Sequence, residues 1–266
     1  MKNDIIEIKK KMLEISWNKA HLSSSYSAVE ILYSLYKTVN INKNNISDFN
    51  NRDMVIISKE HCRLAQVCIL SHLGLLDKKL LNKYLVDNGL LGHDIYNFVA
   101  SKELSSIDYG SGALGHGINF GIGLALANAN RNIYVLIGDG EIQEGSMWEA
   151  FLFIIHHNIR NITIIADRNY MQIDDYTKNI IDTSSNMKNI METLGFDVLE
   201  CNGHNIEEIE KCIKEDTKQP KFIIADTIKG KGMEFILDEV GFAMFHHSVL
   251  NTEQKNKIME SVCSGN

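Results

Sequence analysis

The sequence has a single proline, Pro220, and no C-x-x-C pair among its five cysteines. Cys62, Cys68, Cys201, Cys212 and Cys263 form no even-numbered framework, so reduced, mostly structural thiols in a cytoplasm are expected. No stretch has the length and apolar continuity of a membrane span. The opening residues Met1-Lys2-Asn3-Asp4-Ile5-Ile6-Glu7 lack the apolar core of a secretory signal. Basic excess is missing too: 27 Lys and Arg against 34 Asp and Glu give a formal charge of −7, which argues against a nucleic-acid binder. There is no low-complexity linker, proline-rich hinge or internal repeat, and one domain spanning 1–266 is expected. What is present is an ordinary globular composition, 44% hydrophobic.

Helical periodicity runs over 4–20, where Ile5, Ile8, Met12, Leu13 and Ile15 recur, and over 27–38, 64–73 and 78–86. Met54-Val55-Ile56-Ile57 is a short continuous apolar run, as expected of a strand buried on both faces. Further strands are predicted at 133–137, 162–166, 197–200 and 222–226, separated by helices at 145–157, 187–194 and 206–215. The stretch 90–117 is rich in Gly, Ser and Asp and reads as loop. It opens into a helix to 129 that is apolar nearly all round and is expected to be buried. This alternation implies βαβ units, hence an α/β fold with a mostly parallel sheet and helices on both faces.

Open parallel sheets bind ligands outside the carboxyl ends of their strands. Two consecutive predicted strands end in Gly138-Asp139-Gly140-Glu141 and Ala166-Asp167-Arg168-Asn169. Glycines on both sides of an aspartate let the backbone approach a phosphate while the carboxylate points at a metal. Asp and Asn oxygens, a backbone carbonyl and diphosphate oxygens make a hard octahedral set suited to Mg²⁺ or Ca²⁺. A Gly-Asp-Gly tripeptide alone often marks only a turn; its place at the end of a buried strand, with an Asn ending the next, makes it specific. Gly110-Ser111-Gly112-Ala113-Leu114-Gly115 also fits the G-x-G-x-x-G fingerprint of dinucleotide enzymes. That fingerprint must follow a strand, and 104–108 is a poor one.

The run Gly138 to Gly145, then Trp148-Glu149-Ala150, then Asp167-Arg168-Asn169 with Gln172-Ile173-Asp174, resembles the thiamine-diphosphate motif of transketolases. The likeness is to the split bacterial form, in which this region is a separate N-terminal subunit. Matches elsewhere cover almost the whole chain: His21 with Ser25-Tyr26-Ser27-Ala28, Ser58-Lys59-Glu60-His61, Leu91-Gly92-His93, Ser111 to Gly117, and Lys229-Gly230-Lys231-Gly232. The resemblance implies a thiamine-diphosphate-binding fold with thiamine diphosphate and Mg²⁺ (or Ca²⁺) as cofactors. It implies Asp139, Asn169 and the carbonyl of Met171 as metal ligands, and Gly138, Gly140, Glu141, Gly112, Leu114 and His61 as cofactor contacts. It also implies a role for Glu144 in a carboxylate network across a subunit interface. A helix N-terminal residue favoured by the helix dipole is the alternative for Glu144.

Among ten histidines, His21, His61, His93 and His246 match family active-site positions. Breaking a carbon–carbon bond beside a ketone needs proton transfers near neutral pH, where imidazole titrates. His247 adjoins His246 and leaves that assignment open, as is the role of His116, while His156 and His157 read as packing or interface residues. The family's Gly-His-x-Gly-Gly is here Ala20-His21-Leu22-Ser23-Ser24, which points to an altered ketose or aldose.

The implied reaction is transfer of a two-carbon ketol unit from a ketose, phosphorylated by expectation, to an aldose. Such enzymes grip the aminopyrimidine with a second domain, and the chain ends at Asn266 soon after the first is complete. A C-terminal transketolase subunit carrying the pyrimidine-binding domain, in an α₂β₂ assembly, is the expected partner. Two alternatives remain: the E1 α subunit of a 2-oxo-acid dehydrogenase, and a catalytically silent scaffold subunit. Gln143-Glu144 and the matched histidines favour transketolase over the first, and the intact metal ligands argue against the second.

Overall fold

A computed structural model describes residues 2–16, 21–81, 106–110, 112–247 and 250–264. Five parallel strands form one sheet in the order β1-β2-β3-β5-β4, with β1 Met54–Ile57, β2 Ile133–Gly138, β3 Ile162–Arg168, β4 Asp197–Asn202 and β5 Lys221–Asp226. The register sets Ile57 opposite Leu136, Gly138 opposite Asp167, and Asp167 opposite Ala225, so the strands finish close together on one edge.

Alternation along the strands divides the core in two. Val55, Ile57, Tyr134, Leu136, Ile165 and Ile223 face one layer, with helices Lys2–Ser16, Val29–Thr38, Arg63–His72, Ile206–Lys214 and Thr252–Ser264 packed there. Ile56, Val135, Ile137, Ile164, Phe222 and Ile224 face the other, under helices Gly117–Ala127, Gly145–His156 and Met187–Leu194. The α/β fold with helices on both faces is therefore as expected.

Three details differ. The helix expected from 27 is preceded by another, Leu22–Ser27, from which Ala28 separates Val29–Thr38. The helices Leu237–His247 and Thr252–Ser264 have no counterpart in the sequence pattern, and the first is kinked at Gly241 (φ 74°, ψ 168°). The third is the helix expected to be wholly buried. Gly117–Ala127 seats Ile118, Ile122 and Ala125 on the sheet, yet Phe120 is 43% and Leu126 58% exposed. On the neighbouring helix Gly145–His156, Leu152 is 59% and Phe153 41% exposed. A single layer of helix covers the sheet here, and no described element lies over its outer side. Of the helix expected at 78–86, Lys78–Leu81 is described; 82–105 and 17–20 lie outside the described residues. No described helix is long and apolar enough to cross a membrane.

Candidate active site

Because the strands run parallel, their carboxyl ends deliver one polar segment each to the same edge. Asp139 immediately follows β2 and is 2% exposed. Its Oδ1 accepts from the Gly140 N–H (2.9 Å), and its Oδ2 from the N–H groups of Asn169 (3.1 Å) and Tyr170 (2.6 Å) and the Ser184 hydroxyl (3.3 Å). Tyr170 sits in the left-handed region at φ 61°, which turns its N–H onto that oxygen. Burial, and then the neighbouring Asp167 charge, push the Asp139 carboxyl up to about 6. A Cβ on Gly140 would lie 2.8 Å from Gln172 Oε1, so this backbone admits no side chain without displacing Gln172.

Two ammonium groups border the same cleft, which has a volume of about 250 Å³. Lys59 follows β1, is 2% exposed, and pairs with Asp167 while donating to Ser27 Oγ (3.2 Å). Burial opposes both charges, but Lys59, Thr227 and Ser27 hold the Asp167 carboxyl below its ordinary value. Lys229 follows β5, is 4% exposed, donates to the Gln172 carbonyl (3.0 Å) and lies 3.3 Å from His246 Nδ1. Burial first, and Lys59 second, lower its ammonium to about 8. Asp167 pairs with Lys59, whereas the bonds of Lys229 among the described residues go to neutral partners, the Gln172 carbonyl and His246, so its charge is left for an anion on the cleft.

The histidines gather beside Lys229. The ring of His246 is 4.8 Å from that of His21 and 5.3 Å from that of His61, and its Nδ1 is 3.5 Å from Ser24 Oγ. Burial drives His61 well below its ordinary range, with Lys59 adding to the effect, and lowers His21 as well. His246 falls to about 2, through burial and then Lys229. All three imidazoles are therefore neutral at neutral pH. His246 is buried on the cleft, whereas His247 is exposed, with its ring 5.3 Å from those of both His21 and His246, and does not line the cleft.

Of the residues singled out from sequence, His61, Leu114, Gly138, Asp139, Gly140, Glu144, Asn169, Met171 and His246 all border this cleft. His21 packs against it through His246 and His61. Gly112 is exposed and does not line it, and His93 lies outside the described residues. Glu141 departs from its expected cofactor contact. Its carboxylate turns inward and accepts from the Ser58 hydroxyl and the N–H groups of Gly115 (2.8 Å) and Gly138 (3.1 Å), holding three segments together. Glu144 stands at the N-terminus of helix Gly145–His156 but makes no capping bond with its side chain. In the sequence, Lys59, Asp167 and Lys229 stand out only as parts of motifs. Their signal is positional: each stands at or just past the carboxyl end of a predicted parallel strand. The Gly110–Gly115 fingerprint lacks its context, since 106–110 contains no strand.

The donor set fits a hard divalent cation and an attached diphosphate. It offers a buried carboxylate, the Asn169 amide and Met171 on one cleft, a backbone stripped of side chain at Gly140, and two ammonium groups. Fold and cleft thus define a diphosphate-binding domain of the thiamine-diphosphate class.

The chain belongs to the family described as "Transketolase, thiamine diphosphate binding domain", which matches residues 15–260. It is 34% identical to an apulose-4-phosphate transketolase subunit of Actinobacillus succinogenes, covering 96% of this chain and 93% of that protein. It is 30% identical to a 6-deoxy-6-sulfo-D-fructose transketolase subunit of a Clostridium species, over 81% and 79% of the two chains. The fold is that of the transketolase of Campylobacter jejuni, with a TM-score of 0.72 at 22% identity; 99% of this chain spans 46% of that one. This is accordingly a thiamine-diphosphate-binding chain of the transketolase-type transferases, whose relatives named as subunits imply a partner subunit.

Proposed function

We propose that this chain, as one domain, is the diphosphate- and metal-binding subunit of a two-chain transketolase that moves a two-carbon ketol unit from a phosphorylated ketose to an aldose. The observation that carries the reading is the pair of buried ammonium groups, Lys59 and Lys229, on the cleft that holds Asp139. Asp139, Asn169 and the Met171 carbonyl hold Mg²⁺, and Gly138 and Gly140 let the backbone approach the diphosphate. Lys59, Lys229 and His61 meet its charge. The bound cofactor supplies the carbanion equivalent for breaking a carbon–carbon bond beside a ketone.

His21 and His61 enter the reaction neutral, each with one ring nitrogen able to accept from a sugar hydroxyl, whereas His246, whose Nδ1 takes an N–H of Lys229, presents Nε2–H as a donor to a sugar oxygen. Ser24, facing His246 where the family has glycine, narrows the donor end of the cleft. The relatives' named ketoses carry a phosphate or a sulfo group, so an anion at the far end of the donor fits this reading.

The partner is a C-terminal subunit with the pyrimidine-binding domain, in an α₂β₂ assembly. Phe120, Leu126, Leu152 and Phe153, exposed on two adjacent helices, form a surface for it. The test is to co-express this chain with the gene product encoded beside it and assay ketol transfer with thiamine diphosphate and Mg²⁺. Asp139→Ala is expected to lose at least ~100-fold, because partners one layer out from a metal already cost 10–100-fold. Full activity in that variant would sink the site assignment.

A further inference from the structure

The four-residue loop Ile228-Lys229-Gly230-Lys231 separates two cavities. Lys229 borders the cofactor cleft, and Lys231 borders a cavity of about 470 Å³ on the other side. That second cavity is walled by Lys9, Glu30 and the half-buried His204. Lys9 and Glu30 are each 6% exposed, and Lys9 Nζ donates to Glu30 Oε1 (3.0 Å). Glu30 Oε2 lies 3.2 Å from His204 Nδ1.

The triad grips both ends of the loop. The Ile228 N–H donates to His204 Nε2 (2.8 Å), and Lys9 Nζ donates to the Lys231 carbonyl (3.2 Å). Because Nε2 accepts a backbone N–H, it carries no proton, so the proton sits on Nδ1 and is donated to Glu30. Between the two grips the chain turns tightly. The Lys231 N–H returns to the Ile228 carbonyl (3.1 Å), and Gly230, at φ 69°, gives its N–H to the Ser23 carbonyl (2.9 Å). A Cβ at Gly230 would lie 2.6 Å from Phe245 Cζ, so the loop has no room to relax toward the helix that carries His246.

Burying an ion pair adds little stability over well-packed apolar residues of the same size, so its presence calls for another reason. None of the three lines the cleft. The triad's bonds beyond itself include those to the two backbone atoms that bracket Lys229.

We propose that Lys9, Glu30 and His204 are positioning residues for Lys229, fixing the loop so that its ammonium stands on the cleft where the diphosphate binds. The inference rests on the cleft reading above and assigns a duty to residues outside the cleft.

A double-mutant cycle tests it, run on the complex of the full chain with its partner subunit. The quantity read is the Kd for thiamine diphosphate at saturating Mg²⁺, by fluorescence titration. His204→Phe is expected to raise Kd about tenfold, and Lys229→Met at least as much, in keeping with the loss of a supporting hydrogen bond. The double variant is expected to stay within about twofold of Lys229→Met alone, since a positioned group that is gone cannot be mispositioned. His204→Gln retains an acceptor for the Ile228 N–H and is expected to recover most of the loss. If His204→Phe does not fold, Lys9→Met at the other grip enters the same cycle with the same expectation.

Effects that multiply in the double variant would overturn the positioning role, as would a wild-type Kd in the triad variants beside a raised one in Lys229→Met. A wild-type Kd in Lys229→Met would instead bring down the cleft reading and this inference with it.

Discussion

Two fully buried ion pairs sit at opposite ends of β1 and do different work. At the amino end, Arg52 and Asp108 close on one another through two bonds, at 2.5 and 3.0 Å. Arg52 also donates to the carbonyls of Asp53 (2.8 Å) and Ile46 (3.0 Å), and Asp108 takes the Val55 N–H (2.8 Å). This pair spends its hydrogen bonds on tying the approach to β1 against 106–110. At the carboxyl end, Asp167 is equally enclosed by Lys59, Ser27, Thr227 and Asn169. Lys59, however, also borders the cleft. A guanidinium fork fits a carboxylate face to face and is consumed by it, whereas an ammonium has three donors pointing apart. With Asp167 and Ser27 taking two of them, one N–H of Lys59 is available to a ligand among the described residues. The same pairing of charge closes a structural joint in one place and supports a binding surface in the other.

The largest effect that would sharpen this contrast comes from cutting each pair. Arg52→Met and Lys59→Met each leave a buried carboxylate unpaired, and each is expected to cost about 3–5 kcal/mol in chemical denaturation. Only Lys59→Met is expected to weaken thiamine diphosphate binding as well. Equal loss of affinity in both variants would erase the distinction.

A smaller effect concerns Asp139, the cleft carboxylate whose hydrogen bonds come from backbone N–H groups and Ser184 rather than from a lysine. Its pKa is raised from 3.8 to about 6, so its contribution to stability is complete below pH 3.8 and is lost as pH rises through 6. Without metal and cofactor, Asp139→Asn is expected to exceed the wild type by about 2–3 kcal/mol at pH 7.5. The gap should close toward pH 4, as read from urea midpoints. Thiamine diphosphate with Mg²⁺ should then stabilise the wild type and not the variant. A gap that stays constant with pH would mean the carboxylate is not strained by its burial. The smallest effect is Leu152→Glu, which is expected to change the stability of the isolated chain by less than about 0.5 kcal/mol. Partner binding in size-exclusion chromatography should nevertheless be lost; retained binding would remove this face from the interface.

How much of this was legible in the sequence follows from what each residue type reveals by itself. The central strands were legible because burial on both faces demands unbroken Val and Ile, and β1 has the predicted bounds Met54–Ile57. Asp139 and Asn169 were legible as polar ends on such runs. Lys59 and Lys229 were not, because a lysine seen singly is a surface residue until the sheet brings two of them together. The helix Leu22–Ser27 hid behind its polarity: four of its six residues are serines, yet all six are buried. Their hydroxyls are satisfied by the Phe245 carbonyl, the His61 carbonyl and Asp167, partners that only the tertiary fold provides. The helix Leu237–His247 was missed because Gly241 breaks its period at the kink.

The left-handed turn at Tyr170 carries a last consequence. A non-glycine residue held at φ 61° stores on the order of 1 kcal/mol of backbone strain or more. In exchange, two successive N–H groups form a small nest around one oxygen of Asp139. The carboxylate is thereby locked in direction when the chain folds. An arriving cation then meets a ligand already aimed, with little rotational freedom left to lose on binding. Tyr170→Gly would relax that strain and loosen the aim together.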